Sequence, residues 1–297
     1  MKKLMFIANA RAGRGRSNAA FFDAACAFSK AGYLVDLRKP EKYGDVVRFA
    51  SEAKEYDLVV CAGGDGTLSS TLTGLMKTEQ PHPAVGYIPC GSTNDFAVSL
   101  GIPLTVPAAV ENIVSGSPRG LDLGFWDEIE FVYVASFGAF TKASYSAPQD
   151  IKNALGGAAY VLEGARDLDT LRPYRICLDA DGERIEGDFL FGAISNSTSI
   201  AGRMKISDEL VQMDDGVFEL VLVPQPKNIE DMYKLLQTLA KREFDPRYVM
   251  VRHVKEVHFR TEEDIPWSLD GEFAASRPEI HIKNLPHAYR LILPDEK

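Results

Sequence analysis

Several short stretches of this chain carry residue types that handle phosphate and divalent cations. In LVVCAGGDGT, residues 58–67, an apolar run stops at Gly63, Gly64, Asp65, Gly66 and Thr67. Glycines there permit a tight turn and close approach of a phosphate. Thr67 is expected to begin a helix whose free N–H groups and dipole favour an anion. A carboxylate in that place repels phosphate unless a cation lies between them, and Mg²⁺ takes a few carboxylates, waters and phosphate oxygens. The plainer alternative is an Asp-Gly turn. No G-x-x-x-x-G-K-[ST] run occurs, so this is not a P-loop.

A second loop, YIPCGSTNDFAVSL at residues 87–100, repeats the pattern. Gly91 makes the turn, Ser92, Thr93 and Asn94 offer short polar groups and a helix cap, and Asp95 adds a carboxylate. Ordinary capping by Asn94 or Asp95 is the alternative. A third loop, NARAGRGRS at residues 9–17, holds Asn9, Arg11, Arg14 and Arg16. Guanidinium and backbone donors there suit nucleotide phosphates, unless the loop is only a solvated basic turn.

Further on, GLDLGFW sets Asp122 among apolar neighbours, where a carboxylate is costly unless paired or bound to metal. PWSLDGEF sets Asp270 and Glu272 two apart, facing the same way if the segment is extended and Gly271 does not bend it. Such a pair has the make-up of a hydroxyl-activating base with an orienting or metal-binding partner; a polar hairpin turn is the alternative. VQMDDGVFELVLV, residues 211–223, is either a turn or a cation site of backbone carbonyls with Asp215.

The elements that must position these residues alternate. LMFIANA, LVDLR, DLVVCAGG and AVGYIPCG read as strands. SNAAFFDAACAFSKAGY, DVVRFASEAKEY and TLSSTLTGLM read as the helices between them. That order predicts a mainly parallel sheet covered on both faces, with ligands at the carboxyl ends of the strands, where the glycine loops fall. From about Gly120 strand-like segments dominate: FVYVASFGAF, YRICLDADGERIEGDFLFGAI with an ADGE hairpin turn, VFELVLVP, RHVKEVHFRT, PWSLDGEF and EIHIKNL. Helices are expected at residues 153–168 and around NIEDMYKLLQTLAKREF. The reading is an α/β domain over residues 1–119 and a β-rich domain over 120–287, with a closing strand at 288–297 that could return to the first but that sequence alone does not place.

With 297 residues, 45% hydrophobic, the chain can bury two cores. A net charge of −9 without a basic run excludes an ordinary nucleic-acid binder. Cys26, Cys61, Cys90 and Cys177 are far apart with no C-x-x-C pair, which argues against zinc and for reduced thiols in a cytoplasmic protein. The apolar stretch of MKKLMFIANARAGRG is too short for a signal peptide, and no run approaches the ~20 residues of a spanning helix, so any membrane contact is peripheral.

In order along the chain, GGDGT (63–67), GSTNDFA (91–97), LDLG (121–124), LGGAAY (155–160), DDG (214–216) and LDGE (269–272) resemble the motifs of the diacylglycerol kinase catalytic-domain family. That family contains bacterial lipid kinases and the sphingosine and ceramide kinases. GGDGT alone is shared with NAD kinases and phosphofructokinases; the ordered set is specific, and it spans nearly the whole chain.

The resemblance implies an NAD-kinase-like α/β nucleotide domain and a β-sandwich over the active-site cleft. It implies ATP on the GGDGT loop, contacted by Asn9, Ala10, Arg11, Ala12, Gly13, Arg16, Lys39, Ala62, Gly63, Gly64, Asp65, Gly66, Thr67, Leu68, Thr93 and Asn94. Asp65, Asp95 and Asp122 would organise a catalytic Mg²⁺, partly through water. Glu272 would accept the hydroxyl proton, with Asp270 its rival. A second, structural Mg²⁺ would take the carbonyls of Gln212 and Val217 and the side chain of Asp215. The implied reaction is ATP-dependent phosphorylation of a lipid hydroxyl at a membrane surface, diacylglycerol to phosphatidic acid first. Another lipid, a soluble acceptor, or a nucleotide sensor without turnover are the rival readings. Basic residues near Lys241, Arg242, Arg247 and Arg252 are the candidate membrane contacts, and a homodimer stays open. The chain departs from the family at Ala10, where proline is usual, at Ser92, and at Arg203 within STSIAGRMK, where a glycine-rich stretch is expected.

Overall fold

The computed structural model describes residues 1–9, 18–91, 94–138, 172–196, 199–200, 204–205, 212–241 and 245–295. The helix expected at 153–168, the LGGAAY motif, and Ala10, Arg11, Ala12, Gly13, Arg14, Arg16, Ser92, Thr93, Arg203 and Arg242 lie outside the described residues. The chain forms two compact units, Met1–Asp122 with Pro286–Lys297, and Leu123–Leu285. Strands β5 (Ser117–Trp126) and β17 (Glu279–Leu293) carry the chain from one unit to the other.

The first unit contains β1 (Lys2–Ala8), α1 (Asn18–Lys30), β2 (Tyr33–Arg38), α2 (Asp45–Ser51), β3 (Leu58–Gly63), α3 (Asp65–Met76), β4 (Ala84–Pro89), α4 (Asp95–Ser99) and α5 (Val106–Ser115). Its sheet runs β2-β1-β3-β4-β17, every pair parallel. All six residues of β3 are buried, as are Leu4 to Ala8 of β1. That is the signature of parallel strands covered on both faces. On one face Phe21 and Phe28 of α1 and Val110 and Ile113 of α5 pack with Leu4, Phe6 and Val60. On α3, a Cβ at Gly74 would stand 2.4 Å from the Val47 carbonyl oxygen, so glycine lets α2 and α3 approach. DVVRFASEAKEY is not one helix: α2 ends at Ser51 and a short 3₁₀ turn, Ala53–Glu55, follows.

The second unit is antiparallel. It holds β6 (Ile129–Phe131), β7 (Val134–Gly138), β8 (Tyr174–Ala180), β9 (Glu183–Ser195), β10 (Ser199–Ile200), β11 (Met204–Lys205), β12 (Phe218–Pro224), α6 (Ile229–Lys241), β13 (Met250–Val254), β14 (Glu256–Arg260), β15 (Trp267–Leu269) and β16 (Glu272–Ala274). The strands neighbour in the order β16-β15-β7-β9-β8-β14-β17, with β12 on β9 and β13 on β12. An aromatic cluster centres on Trp267, whose ring lies 5.0 Å from Phe137, 5.2 Å from Phe259 and 6.1 Å from Trp126. Leu235 of α6 packs with Val134, Phe191, Val221 and Val223 in a separate cluster.

Two segments expected as single strands are divided, each by an aspartate on a hairpin turn. Asp181 and Gly182 have φ of 49° and 90° and join β8 to β9 with Ala180 opposite Glu183, a two-residue turn of left-handed residues. The Asp181 carboxylate accepts the N–H groups of Lys255 (2.8 Å) and Glu256 (2.9 Å), which splits RHVKEVHFRT into β13 and β14. Asp270 and Gly271, again at 49° and 90°, join β15 to β16 with Leu269 opposite Glu272. LDGE is therefore a hairpin tip, and the expectation that Asp270 and Glu272 face the same way along an extended strand fails. The Asp270 carboxylate takes amides at the break between β6 and β7, dividing FVYVASFGAF.

Candidate active site

The loops after β3 and β4 lie at the carboxyl ends of those strands and form one structure, to which Asn9 at the end of β1 is tied. The cap of α3 is Gly64, in extended backbone, and its carbonyl accepts the N–H groups of Thr67 (2.8 Å) and Leu68 (3.2 Å). The helix starts at Asp65, two residues before the start expected at Thr67. The glycines have separate tasks. A Cβ on Gly63 would stand 2.2 Å from the Thr67 Oγ1, and one on Gly91 would stand 2.6 Å from the Gly64 Cα. These three are glycine because protein packs against them. Gly66 is exposed and a Cβ there would meet nothing within 4 Å. Open space beside the Cα lies at Gly66, on the first turn of α3.

Asp65 joins the same seam. Its carboxylate accepts the N–H groups of Asp95 (3.2 Å) and Phe96 (3.4 Å) and the Tyr87 hydroxyl (3.4 Å). Burial, and then the Asp65 charge, hold the Tyr87 phenol well above its ordinary range. The Asn94 Oδ1 accepts the Gly91 N–H at 2.7 Å and its Nδ2 donates to the Gly91 carbonyl at 3.1 Å. Asn94, buried and left-handed at φ 52°, thus closes its own loop. Asn9 ties the end of β1 to the seam: its N–H donates to the Ala62 carbonyl (2.9 Å) and its Nδ2 to the Thr67 Oγ1 (3.0 Å). Ala62 and Leu68 are buried in the core, and Lys39 is exposed just past β2. Asp122 is fully buried on β5, where its Oδ1 accepts the backbone N–H of His287, a left-handed residue, at 2.9 Å. That bond is one reason a carboxylate is tolerated in the apolar strand.

In the second unit the acids of LDGE differ. The Asp270 carboxylate accepts three backbone N–H groups, Val132 at 2.7 Å and Tyr133 and Val134 at 3.1 Å each, while its own N–H donates to the Val134 carbonyl. Glu272 is exposed, and its side chain makes no hydrogen bond or ion pair among the described residues. The DDG turn places Asp215 in an Asx turn, its Oδ1 taking the Val217 N–H at 3.1 Å, with Gln212 exposed and Gly216 at φ 77°. Of the candidate basic membrane contacts, Arg247 pairs with Asp245 at 2.6 Å and Arg252 with Glu183 at 3.2 Å.

Sequence reasoning passes over Glu219. It is 1% exposed on β12, and neither carboxylate oxygen has a hydrogen-bond partner among the described residues. The His253 Nε2 lies 3.9 Å from the Glu219 Oε1. Burial, with the Asp215 charge adding to it, pushes the Glu219 carboxyl up to about 8. The signal is in the sequence, a charge within VFELVLV, the same pattern that singles out Asp122.

The donors fit Mg²⁺ chemically. Asp65 and Asp95 give two carboxylate-bearing residues at one loop seam. Asp215 with the carbonyls beside it gives another oxygen set, and the Asp215 charge acts on the buried Glu219 carboxylate.

Two family models cover the chain. Residues 3–126 match the diacylglycerol kinase catalytic domain, and residues 134–293 match the YegS C-terminal NAD kinase beta sandwich-like domain. A diacylglycerol kinase of Bacillus subtilis (strain 168) is 29% identical over 300 residues, covering 100% of this chain and 98% of that protein. One from Staphylococcus epidermidis (strain ATCC 12228 / FDA PCI 1200) is 29% identical, covering 99% of this chain and 93% of that protein. The crystal structure of a diacylglycerol kinase from Bacillus anthracis str. Sterne shares the fold, with a TM-score of 0.77 at 20% identity over 98% of this chain and 97% of that one. Among the described residues no helix is long and apolar enough to cross a membrane.

Proposed function

The chain belongs to the diacylglycerol kinase family and is a kinase, and from that premise we propose that it transfers the γ-phosphoryl group of ATP to a lipid primary hydroxyl, with diacylglycerol the first-ranked acceptor and phosphatidic acid the product. The observation that carries the reading is the locked pair of loops, with Asp65 at the start of α3 and Gly66 open beside it. Phosphates approach the first turn of α3 at Gly66, where helix N–H groups favour them. Asn9 and Thr67 hold the neighbouring loop in register.

Asp65 and Asp95, with Asp122, are assigned to hold Mg²⁺, which when bound offsets charge on the phosphate oxygens. Glu272 is assigned as base. It takes the proton of the acceptor hydroxyl, the alkoxide oxygen bonds to the γ-phosphorus, and the bond from that phosphorus to the bridging oxygen of ADP breaks. Asp270 is assigned an anchoring role, because its carboxylate is engaged by three amides. Transfers of this kind depend on positioning and charge, which suits residues held by backbone hydrogen bonds.

The test is a kinase assay with Mg²⁺, labelled ATP and mixed micelles holding a panel of lipids, extracted into organic solvent. Label in diacylglycerol is expected. Label in another lipid alone would reassign the acceptor, and label confined to water-soluble product would overturn the lipid reading.

A further inference from the structure

On the solvent face of the second unit, β14 and β17 bring two imidazoles and a carboxylate together. The strands are antiparallel, with His258 opposite His281, Glu256 opposite Lys283 and Arg260 opposite Glu279. Val257, Phe259, Ile280 and Ile282 turn into the core, so the other set shares the outer face. The two histidine rings stack, centroids 4.1 Å apart and planes 10° apart. The Nε2 of His281 lies 3.1 Å from the Glu256 Oε2. One ligating atom from each of Glu256, His258 and His281 lies within 4.8 Å of the others.

The surrounding charges do not account for this arrangement. Arg260 and Glu279 form their own ion pair at 3.5 Å. Lys283 stands opposite Glu256 but its Nζ lies over the Phe125 ring, 5.7 Å from the centroid. Glu256 turns to His281 instead. Asp179, opposite His258 on β8, accepts the Gly182 N–H at 2.8 Å. The backbone beneath the cluster is held on both strands. Asp181 fixes the Glu256 N–H at 2.9 Å, and Asp127 accepts the His281 N–H at 2.8 Å while donating its own N–H to the His281 carbonyl at 2.8 Å.

We propose that Glu256, His258 and His281 bind a borderline divalent cation of the Zn²⁺ class, clamping β14 to β17. Two imidazole nitrogens and one carboxylate oxygen are the ligands such ions prefer, whereas Mg²⁺ takes oxygen. Tetrahedral bonds of about 2.0–2.1 Å require ligand atoms about 3.3 Å apart with both ring planes aimed at the ion, so the two solvent-facing imidazoles leave their stack by rotation about χ1 and χ2 when the ion binds. Water completes the coordination. The case against zinc in the sequence rests on cysteines alone; here histidine supplies the ligands. The site is separate from the residues assigned to phosphoryl transfer.

The test uses the full chain, stripped with chelator, and Zn²⁺ titrated against a chromophoric competitor in excess Mg²⁺. One tight equivalent is expected. His258→Asn and His281→Asn should each weaken it at least tenfold, and Glu256→Gln should weaken it measurably. His253→Asn and Cys177→Ser should keep it. Zn²⁺ should raise the melting temperature of the wild type and not of the histidine variants, whose melts in chelator should match the wild type because both side chains face solvent. Absence of a tight equivalent, or its persistence in either histidine variant, would overturn the proposal. Loss in Cys177→Ser or no change in Glu256→Gln would overturn the ligand set.

Discussion

Gly64 and Gly91 lie backbone to backbone, so close that a Cβ on Gly91 would stand 2.6 Å from the Gly64 Cα. The loop after β3 and the loop after β4 are thereby one unit, and Asp65 bonds across the same seam to the amides of Asp95 and Phe96.

Gly91→Ala forces the loops apart. It is expected to cost about 1–3 kcal/mol by overpacking and to lower ATP affinity. Gly66→Ala, with open space at its Cβ, should leave stability within about 1 kcal/mol and weaken ATP alone. Urea unfolding beside nucleotide titration separates the two outcomes.

The acids of LDGE should divide stability from catalysis. Asp270→Ala strands three backbone N–H groups and should cost about 1–3 kcal/mol or more. Glu272→Gln changes an exposed group and should leave stability within about 0.5 kcal/mol while lowering kcat. Denaturation midpoints and steady-state rates on the two variants check this.

Asp122→Ala removes the acceptor of the His287 N–H in a fully buried place. A loss of about 1–3 kcal/mol is expected in chelator, and a larger one in Mg²⁺, because the variant also loses an assigned Mg²⁺ ligand. Chemical denaturation with and without Mg²⁺ reads it.

Glu219 sets a pH dependence in the metal-free protein. Its carboxyl is raised from about 4.3 in the unfolded chain to about 8 in the folded one. The folded state therefore binds the proton more tightly. The stabilisation is fully present below about pH 4.3 and is lost as pH rises through about 8, on the order of a few kcal/mol. In chelator, the wild type should lose stability between pH 6 and pH 9 relative to Glu219→Gln. Denaturation curves of both proteins at each pH measure the difference.

The alternation of buried strands and helices in the first unit is legible in the sequence, because continuous apolar runs such as LVVCAG have few other solutions. Asp65, Asp95 and Glu272 are also singled out there, by residue type and spacing. What the sequence conceals is contact at a distance. Nothing local tells that a Cβ on Gly63 would meet Thr67 and one on Gly64 would meet Gly91. Nothing local tells that Asp181 reaches Lys255 and Glu256 and breaks a strand. The period-two reading of Asp270 and Glu272 fails because Asp-Gly takes a left-handed two-residue turn, which reverses the chain between them.

The most direct measurement is transfer of label from ATP to diacylglycerol in Mg²⁺ by the wild type and by Glu272→Gln, each confirmed folded. Labelled phosphatidic acid from the wild type, with a rate at least ~100-fold lower in the variant, is the predicted result. A wild type that binds ATP but labels no lipid, or a Glu272→Gln variant that keeps the wild-type rate, would contradict the account.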